Sequence, residues 1–319
     1  MLCAVITDRG NLLHPGARPR APIDRGPARV YNGGMKFRGS TLIELVVAMA
    51  VVTLLMGVSA GVLGHTREHA RTVVCASRIR RLAQGLVSYQ TENGTFPYGF
   101  RMRSSPVRSR DQYAGSAGAV DLPGWWWFDS FLTVDHATGA GEEVLVCPSK
   151  RQDHVSLAAD VLCGNYGANL SLCRVEGYTS PYVSSFGGPA LSCGQIPRPA
   201  ETLLLVDSGY ALISWWHASE RSPVSLPPAS LLLGGVQHAA YVPGMAINAE
   251  KEALLPGQHD DAKGGRHPHK TVNVGFADGS TALRKADDLL VERTAEGRWN
   301  NSPLWHPHGD TVTGAQTAP

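Results

Sequence analysis

Three hydrophobic patterns follow one another along the chain. From Leu45 to Leu63 the residues are apolar or small and none is charged. As a helix, at about 1.5 Å rise per residue, this run spans roughly 28 Å, the hydrocarbon thickness of a bilayer. Further on the apolar positions thin to Cys75, Ile79, Leu82, Leu86 and Tyr89, spaced alternately four and three. That period predicts one apolar stripe on a helix continuing to about Glu92, with arginines over much of the opposite face. Asn93-Gly94 supplies a left-handed stop, and Pro97 follows soon after. Beyond it glycine, proline and serine are frequent, and short β-prone runs such as Thr202–Val206 and Val272–Phe276 stand between them. These predict an antiparallel sheet with long loops. Asp278-Gly279 between two such runs is a hairpin turn signal.

The apolar run opens with one carboxylate, Glu44, at the lip of the predicted membrane helix. Thr41-x-x-Glu44 has the spacing of a capping box, and the helix dipole favours an acid there. An acid at this depth is also costly without a partner and is a functional hypothesis in itself. Just before it stand Lys36, Arg38 and Gly39, followed by Ser40-Thr41-Leu42-Ile43-Glu44-Leu45. This stretch resembles the cleavage and methylation signal of type IV prepilins and type II secretion pseudopilins.

The resemblance implies a pilin-like α+β fold: a long N-terminal helix, its first half transmembrane, packed on an antiparallel β-sheet. It implies that a prepilin peptidase and N-methyltransferase cuts between Gly39 and Ser40 and methylates the new amine. Glu44 then neutralises the N-terminal ammonium of a neighbouring subunit, with Thr41, Leu42, Ile43 and Leu45 in the assembly helix. Ser40 departs from the family's usual phenylalanine. The rival reading is a secretory signal peptide cut near Ser59-Ala60-Gly61, which leaves Glu44 unexplained.

Met35 offers a simple start, so residues 1–34 read as a mis-annotated or disordered extension and 35–39 as the leader. Residues 40–64 then form the transmembrane and assembly helix, 65–92 its amphipathic continuation, 93–298 a β-rich globular domain and 299–319 a tail. Arginines after the span outnumber Lys36 and Arg38 before it, against the usual positive-inside bias. Gly57 and Gly61 have the spacing that lets helices approach closely.

A formal net charge of +2, a hydrophobic fraction of 43% and a mean hydropathy of -0.11 fit one anchored globular domain and exclude a polytopic protein. Scattered arginines do not suggest a nucleic-acid partner. The sequence shows no Walker loop, serine elbow or His-Glu metal helix, so the reading is non-enzymatic and without a cofactor. The expected partners are the prepilin peptidase, other pilin or pseudopilin subunits, an inner-membrane assembly platform and the lipid bilayer. The expected place is the inner membrane, single-pass, with the globular domain outside the cytoplasm.

Arg266-His267 followed by Asn273-Val274-x-Phe276-x-Asp278-Gly279 is similar to the H-x9-DG segment of large planctomycete prepilin-like proteins, a motif of unknown role. Val146-Cys147-Pro148-Ser149, Asn165-Tyr166-Gly167-x-Asn169 and Thr202 through Asp207-Ser208 fall in the order those proteins show. Ten residues lie between His267 and Asp278 where the motif has nine, a difference that a one-residue bulge could absorb.

Cys147, Cys163, Cys173 and Cys193 lie in the exported region, which points to two disulfides of open connectivity and leaves Cys75 a buried free thiol. His267-Pro268-His269 and His306-Pro307-His308 repeat a tripeptide whose extended backbone would put both imidazoles on one side, with His259, Asp260 and Asp261 nearby. These histidines are candidate metal ligands, although their spacing matches no standard zinc pattern. Trp125-Trp126-Trp127-Phe128 reads as core packing, with an aromatic platform as the alternative.

Overall fold

The structure is a computed structural model that describes residues 41–102, 124–130, 132, 141–152, 162–176, 186–219, 240–251, 254 and 256–308; the side chains of 58–63, 65, 102, 124, 142 and 256 lie outside that set. The chain divides into two units, Met1–Leu55 and Met56–Pro319.

Helix α1 runs Leu42–Asn93. Its first turn closes the capping box: the Thr41 N–H donates to Glu44 Oε2 at 2.9 Å and the Glu44 N–H to Thr41 Oγ1 at 3.4 Å. Its end is set by Gly94, at φ 81°, whose N–H donates to Gln90 O at 2.8 Å. The apolar residues from Leu42 to Met56 are exposed. Among the described residues no helix is long and apolar enough to cross a membrane. The expected span Leu45–Leu63 includes residues 58–63, whose side chains lie outside the described set.

In the second unit, Cys75, Ile79, Leu82, Ala83 and Leu86 of α1 are buried, together with Thr72. Tyr89, expected on the same stripe, is only half-buried. The sheet of this unit is built of strands β3 (Tyr166–Asn169), β4 (Leu203–Asp207), β5 (Leu212–Ile213), β6 (Thr271–Phe276) and β7 (Thr281–Lys285). The sheet order is β5-β3-β4-β6-β7. All pairs are antiparallel except β3 with β5, which is parallel. The expectation of a purely antiparallel sheet is corrected here: after β4 the chain reverses and passes to the far side of β3.

The helix approaches the sheet where side chains are smallest. A Cβ placed on Gly275 would lie 3.1 Å from that of Ala83. The β6–β7 hairpin turns at Asp278-Gly279, with Gly279 at φ 83° and the Ser280 N–H donating to Asp278 Oδ1 at 2.8 Å. A Cβ on Gly279 would meet Gln84 and Val87 of α1, so the turn sits against the helix.

A second pair, β1 (Phe100–Met102) and β2 (Gly124–Trp126), runs antiparallel. The tryptophan run does not stay extended, because Trp127–Ser130 turns into a 3-10 helix. Trp126, Trp127 and Phe128 are buried and Trp125 alone is exposed. Trp127 Nε1 donates to Ala211 O at 2.9 Å, and Trp126 stands 4.8 Å from Phe100. Core packing is therefore the role of three of the four rings, and Trp125 by itself is no platform.

Candidate functional site

Two places carry the functional signals. The first is the start of α1. Gly39 and Ser40 lie outside the described residues, whereas Thr41, Leu42, Ile43, Glu44 and Leu45 are described and exposed. The Glu44 carboxylate accepts from the Thr41 N–H at the start of the helix.

The second is a buried polar cluster that five separate segments build together. Helix α1 contributes Thr72 and Cys75, three residues apart on its buried face. The loop after the 3-10 turn Glu142–Val144 contributes Cys147, whose N–H donates to Asn165 Oδ1 at 2.9 Å. The preceding carbonyl, Val146 O, accepts from Arg78 Nη1 at 2.6 Å and from the Tyr166 hydroxyl at 3.4 Å. Arg78, expected among the solvated arginines of the helix, is instead turned towards this loop.

Strand β4 ends in Asp207. The turn after helix α2 (His259–Gly264) brings in Arg266 and His267. From β6, the Asn273 N–H donates to Asp207 Oδ2 at 2.6 Å. Asp207, Cys75, Cys147 and His267 are all buried.

Within the cluster the Cys75 thiol donates to Asp207 Oδ1 at 3.2 Å, and Cys147 Sγ stands 3.6 Å from Cys75 Sγ. His267 Nε2 lies 3.2 Å from Asp207 Oδ2, and Nδ1 lies 3.2 Å from Thr72 Oγ1. The Thr72 hydroxyl proton is already given to Glu68 O at 2.9 Å. The Thr72 oxygen therefore accepts, and His267 Nδ1 carries a proton.

Arg266, fully buried beside the cluster, holds Asp261 at 2.6 and 2.7 Å and donates to Asn165 O at 2.7 Å and Ser208 O at 2.8 Å. The Tyr241 hydroxyl completes Asp261 at 2.8 Å. A buried charge needs this degree of pairing to be tolerable.

Electrostatics follow from burial and these contacts. Burial pushes the Cys75 thiol well above its ordinary value, and Cys147 and Asp207 add to the shift. Burial also opposes ionisation of Cys147, but hydrogen bonds with Cys75 and His267 outweigh it and bring that thiol down to about 6. For Asp207, burial is outweighed by His267, and its carboxyl is held below the usual value. Burial disfavours the His267 cation, yet Asp207 and Cys147 raise it to about 9. The cluster thus sets an imidazole shifted towards its cation beside a buried carboxylate and a thiol shifted towards its thiolate.

Several expectations are corrected by these positions. Among the described residues no disulfide joins Cys75, Cys147, Cys163, Cys173 or Cys193. The disulfide expectation counted only the cysteines of the exported loops, whereas the fold sets Cys147 against Cys75 of the helix. Cys163 and Cys173 are buried in the core, and Cys193 is half-exposed in the 3-10 turn Cys193–Gln195.

The histidine tripeptides do not present paired imidazoles. His269 adopts φ 58° in a 3-10 turn, which buries His267 and exposes His269. His306 is buried and His308 exposed, so that pair is divided in the same way. Asp261 is taken by Arg266. Among the described residues, the group of His, Cys, Asp or Glu close enough to hold a metal is Cys75, Cys147, Asp207 and His267, their ligand atoms all within 4.8 Å of one another. Of the four histidine candidates, only His267 belongs to it.

The H-x9-DG-like segment is also divided. His267 enters the cluster, while Asp278 is exposed at the hairpin tip and makes the turn with Gly279. Sequence reasoning missed Cys75 and Asp207 as site residues. The available signal was that every segment noted for family likeness supplies a residue here: Val146-Cys147, Asn165-Tyr166, Asp207, Arg266-His267 and Asn273.

Residues 34–60 match the family model for the prokaryotic N-terminal methylation motif. No characterised protein and no solved structure is significantly similar to the chain. The chain therefore carries a prepilin-type N-terminal signal, the mark of a type IV pilin-like precursor that is exported and membrane-anchored.

Proposed function

We propose that this protein is a non-enzymatic structural subunit of a type IV pilus or a type II secretion-type pseudopilus. The methylation motif at residues 34–60 carries the proposal. It leads into a helix whose first apolar stretch is exposed from Leu42 to Met56, as a segment meant for lipid or sister helices should be. The peptidase cuts after Gly39 and methylates Ser40, and the mature helix anchors the subunit with its globular domain outside the cytoplasm.

Assembly turns on Glu44. Packing apolar helices into a filament core would bury the new ammonium of each subunit, and an unpaired buried charge costs several kcal/mol. A neighbour's Glu44 carboxylate neutralises it, so the pair sets the register of one subunit against the next. The capping hydrogen bonds of Thr41 and Glu44 hold that carboxylate at the helix start before assembly. The likeness of the globular domain to the large H-x9-DG prepilin-like proteins supports the same reading.

Glu44→Ala tests it. Processing after Gly39 should continue, because the scissile bond and the apolar run are intact, whereas incorporation into filaments should be lost. Normal incorporation of the variant would overturn the proposal. An aromatic glycan-binding surface is not favoured, since only Trp125 of the tryptophan run is exposed.

A further inference from the structure

We propose that Cys75, Cys147, Asp207 and His267 bind one zinc ion, which clasps helix α1 to the sheet. This inference does not depend on the assembly role proposed above.

The distances carry it. A tetrahedral zinc ion with bonds of about 2.3 Å to sulfur and about 2.0 Å to nitrogen or oxygen places its ligand atoms roughly 3.3–3.8 Å apart. In the cluster Cys75 Sγ and Cys147 Sγ are 3.6 Å apart, Cys75 Sγ and Asp207 Oδ1 3.2 Å, and His267 Nε2 and Asp207 Oδ2 3.2 Å. No pair of the four ligand atoms is more than 4.8 Å apart. Asp207 meets Cys75 through Oδ1 and His267 through Oδ2, so closing on an ion requires one of its oxygens to turn towards the other three ligand atoms, all of which lie within 4.8 Å.

The donor set selects the metal class. Two sulfurs with one imidazole and one carboxylate suit a borderline-soft, four-coordinate ion and are wrong for calcium or magnesium, which take oxygen. On binding, Zn²⁺ takes the lone pairs of both sulfurs and of His267 Nε2, and the protons these atoms carried leave to solvent.

The surroundings are those of a supported metal site. His267 Nδ1–H donates to Thr72 Oγ1, which fixes the ring with Nε2 facing the sulfurs and the carboxylate. The Asn273 N–H orients Asp207, and Asn165 fixes the Cys147 backbone. The full Arg266 cation nearby moderates the negative charge of two thiolates and a carboxylate, and its own charge is answered by Asp261.

Two other uses of these residues fit less well. A Cys75–Cys147 disulfide needs its sulfurs at about 2.05 Å. It would also remove the thiol donor from Asp207 Oδ1. A nucleophilic role for Cys147 needs access for a substrate, and the residue is 2% exposed.

The ligands join segments that are far apart in sequence: one on the helix, one in the loop before β3, one at the end of β4 and one before β6. The ion is thus a cross-link in the fold, placed too deep to serve as a working surface.

The test uses the full processed chain, purified in detergent without chelators. Elemental analysis should find about one zinc per chain, as a closed structural site requires. Alkylation of the denatured, unreduced chain should label both Cys75 and Cys147. Cys147→Ser and His267→Gln should each lower zinc content at least tenfold, while Cys193→Ser, outside the cluster, should leave it unchanged. Thr72→Ala, which removes only the support of the imidazole, should weaken zinc affinity by about 10–100-fold.

Should the ligand variants fail to fold, cobalt replacement in the unaltered protein decides the matter. Tetrahedral ligand-field bands with a sulfur-to-cobalt charge-transfer band support the site, and their absence overturns it. A Cys75–Cys147 disulfide in a metal-free chain, or zinc content indifferent to the cluster variants, would also overturn it.

Discussion

The two ends of α1 both carry apolar side chains, and those side chains meet opposite fates. From Leu42 to Met56 the apolar side chains face outwards, with Leu42 82% and Leu54 69% exposed. Between Cys75 and Leu86 an apolar stripe is covered by the sheet, and Cys75, Ile79 and Leu86 are fully buried. The first run is apolar all round and uncharged, whereas the second is one apolar stripe backed by arginines. A helix apolar all round has no face to give to water and must find another medium or other copies of itself, whereas a single stripe can be satisfied within one chain. The first end therefore speaks for association and the second for folding.

The same substitution placed at both ends should break that symmetry most sharply. Leu82→Arg buries an unpaired cation and should cost more than about 4 kcal/mol, enough to abolish the cooperative melting of the globular domain. Leu54→Arg should move that melting by no more than about 0.5 kcal/mol, but should raise the cost of membrane insertion by about 3 kcal/mol. Carbonate extraction of membranes measures the second effect. Equal loss of folding in both variants would contradict the division.

Next in size is Arg266→Met. It leaves Asp261 as a buried carboxylate without its cation and strips donors from Asn165 O and Ser208 O. Denaturant titration should show a loss of about 3–5 kcal/mol.

Acid should also act on the packed region. Burial, reinforced by the charge of Lys251, holds His217 down at about 3, from an ordinary value of 6.5. Between those values the unfolded chain binds a proton that the folded chain refuses, so stability falls as pH falls. The slope from this residue approaches about 1.4 kcal/mol per pH unit. Melting curves from about pH 7 to about pH 5 should show that slope flattened in His217→Gln.

Glycines give the finest contrast. Gly275→Val forces a branched side chain against Ala83 and should cost about 1–3 kcal/mol in thermal melting. Gly57 has nothing within 4 Å of an added Cβ. Gly57→Ala should therefore leave the subunit no less stable, and helix propensity alone would favour it by up to about 1 kcal/mol.

Local chemistry explains which parts of the molecule could be read from its residues. The helix and its stop at Gly94 follow from periodicity and one left-handed glycine. The β6–β7 hairpin follows from Asp278-Gly279, and the capping box from the spacing of Thr41 and Glu44. In each, the interacting residues are neighbours along the chain.

The buried cluster is different, because Cys75 and His267 meet only once the helix lies on the sheet. Nothing in their spacing announces it. The histidine repeat misled for a related reason: the turn at His269 reverses the alternation that an extended tripeptide would keep. The parallel β3–β5 pair likewise depends on where the chain crosses after β4, and no local signal records that path.

Mass spectrometry of the N-terminus of the protein recovered from its native membrane tests the central claim most directly. A chain beginning at N-methylated Ser40 is the predicted result. A chain that retains Gly39 and the residues before it, or one that begins near Gly61, would contradict it.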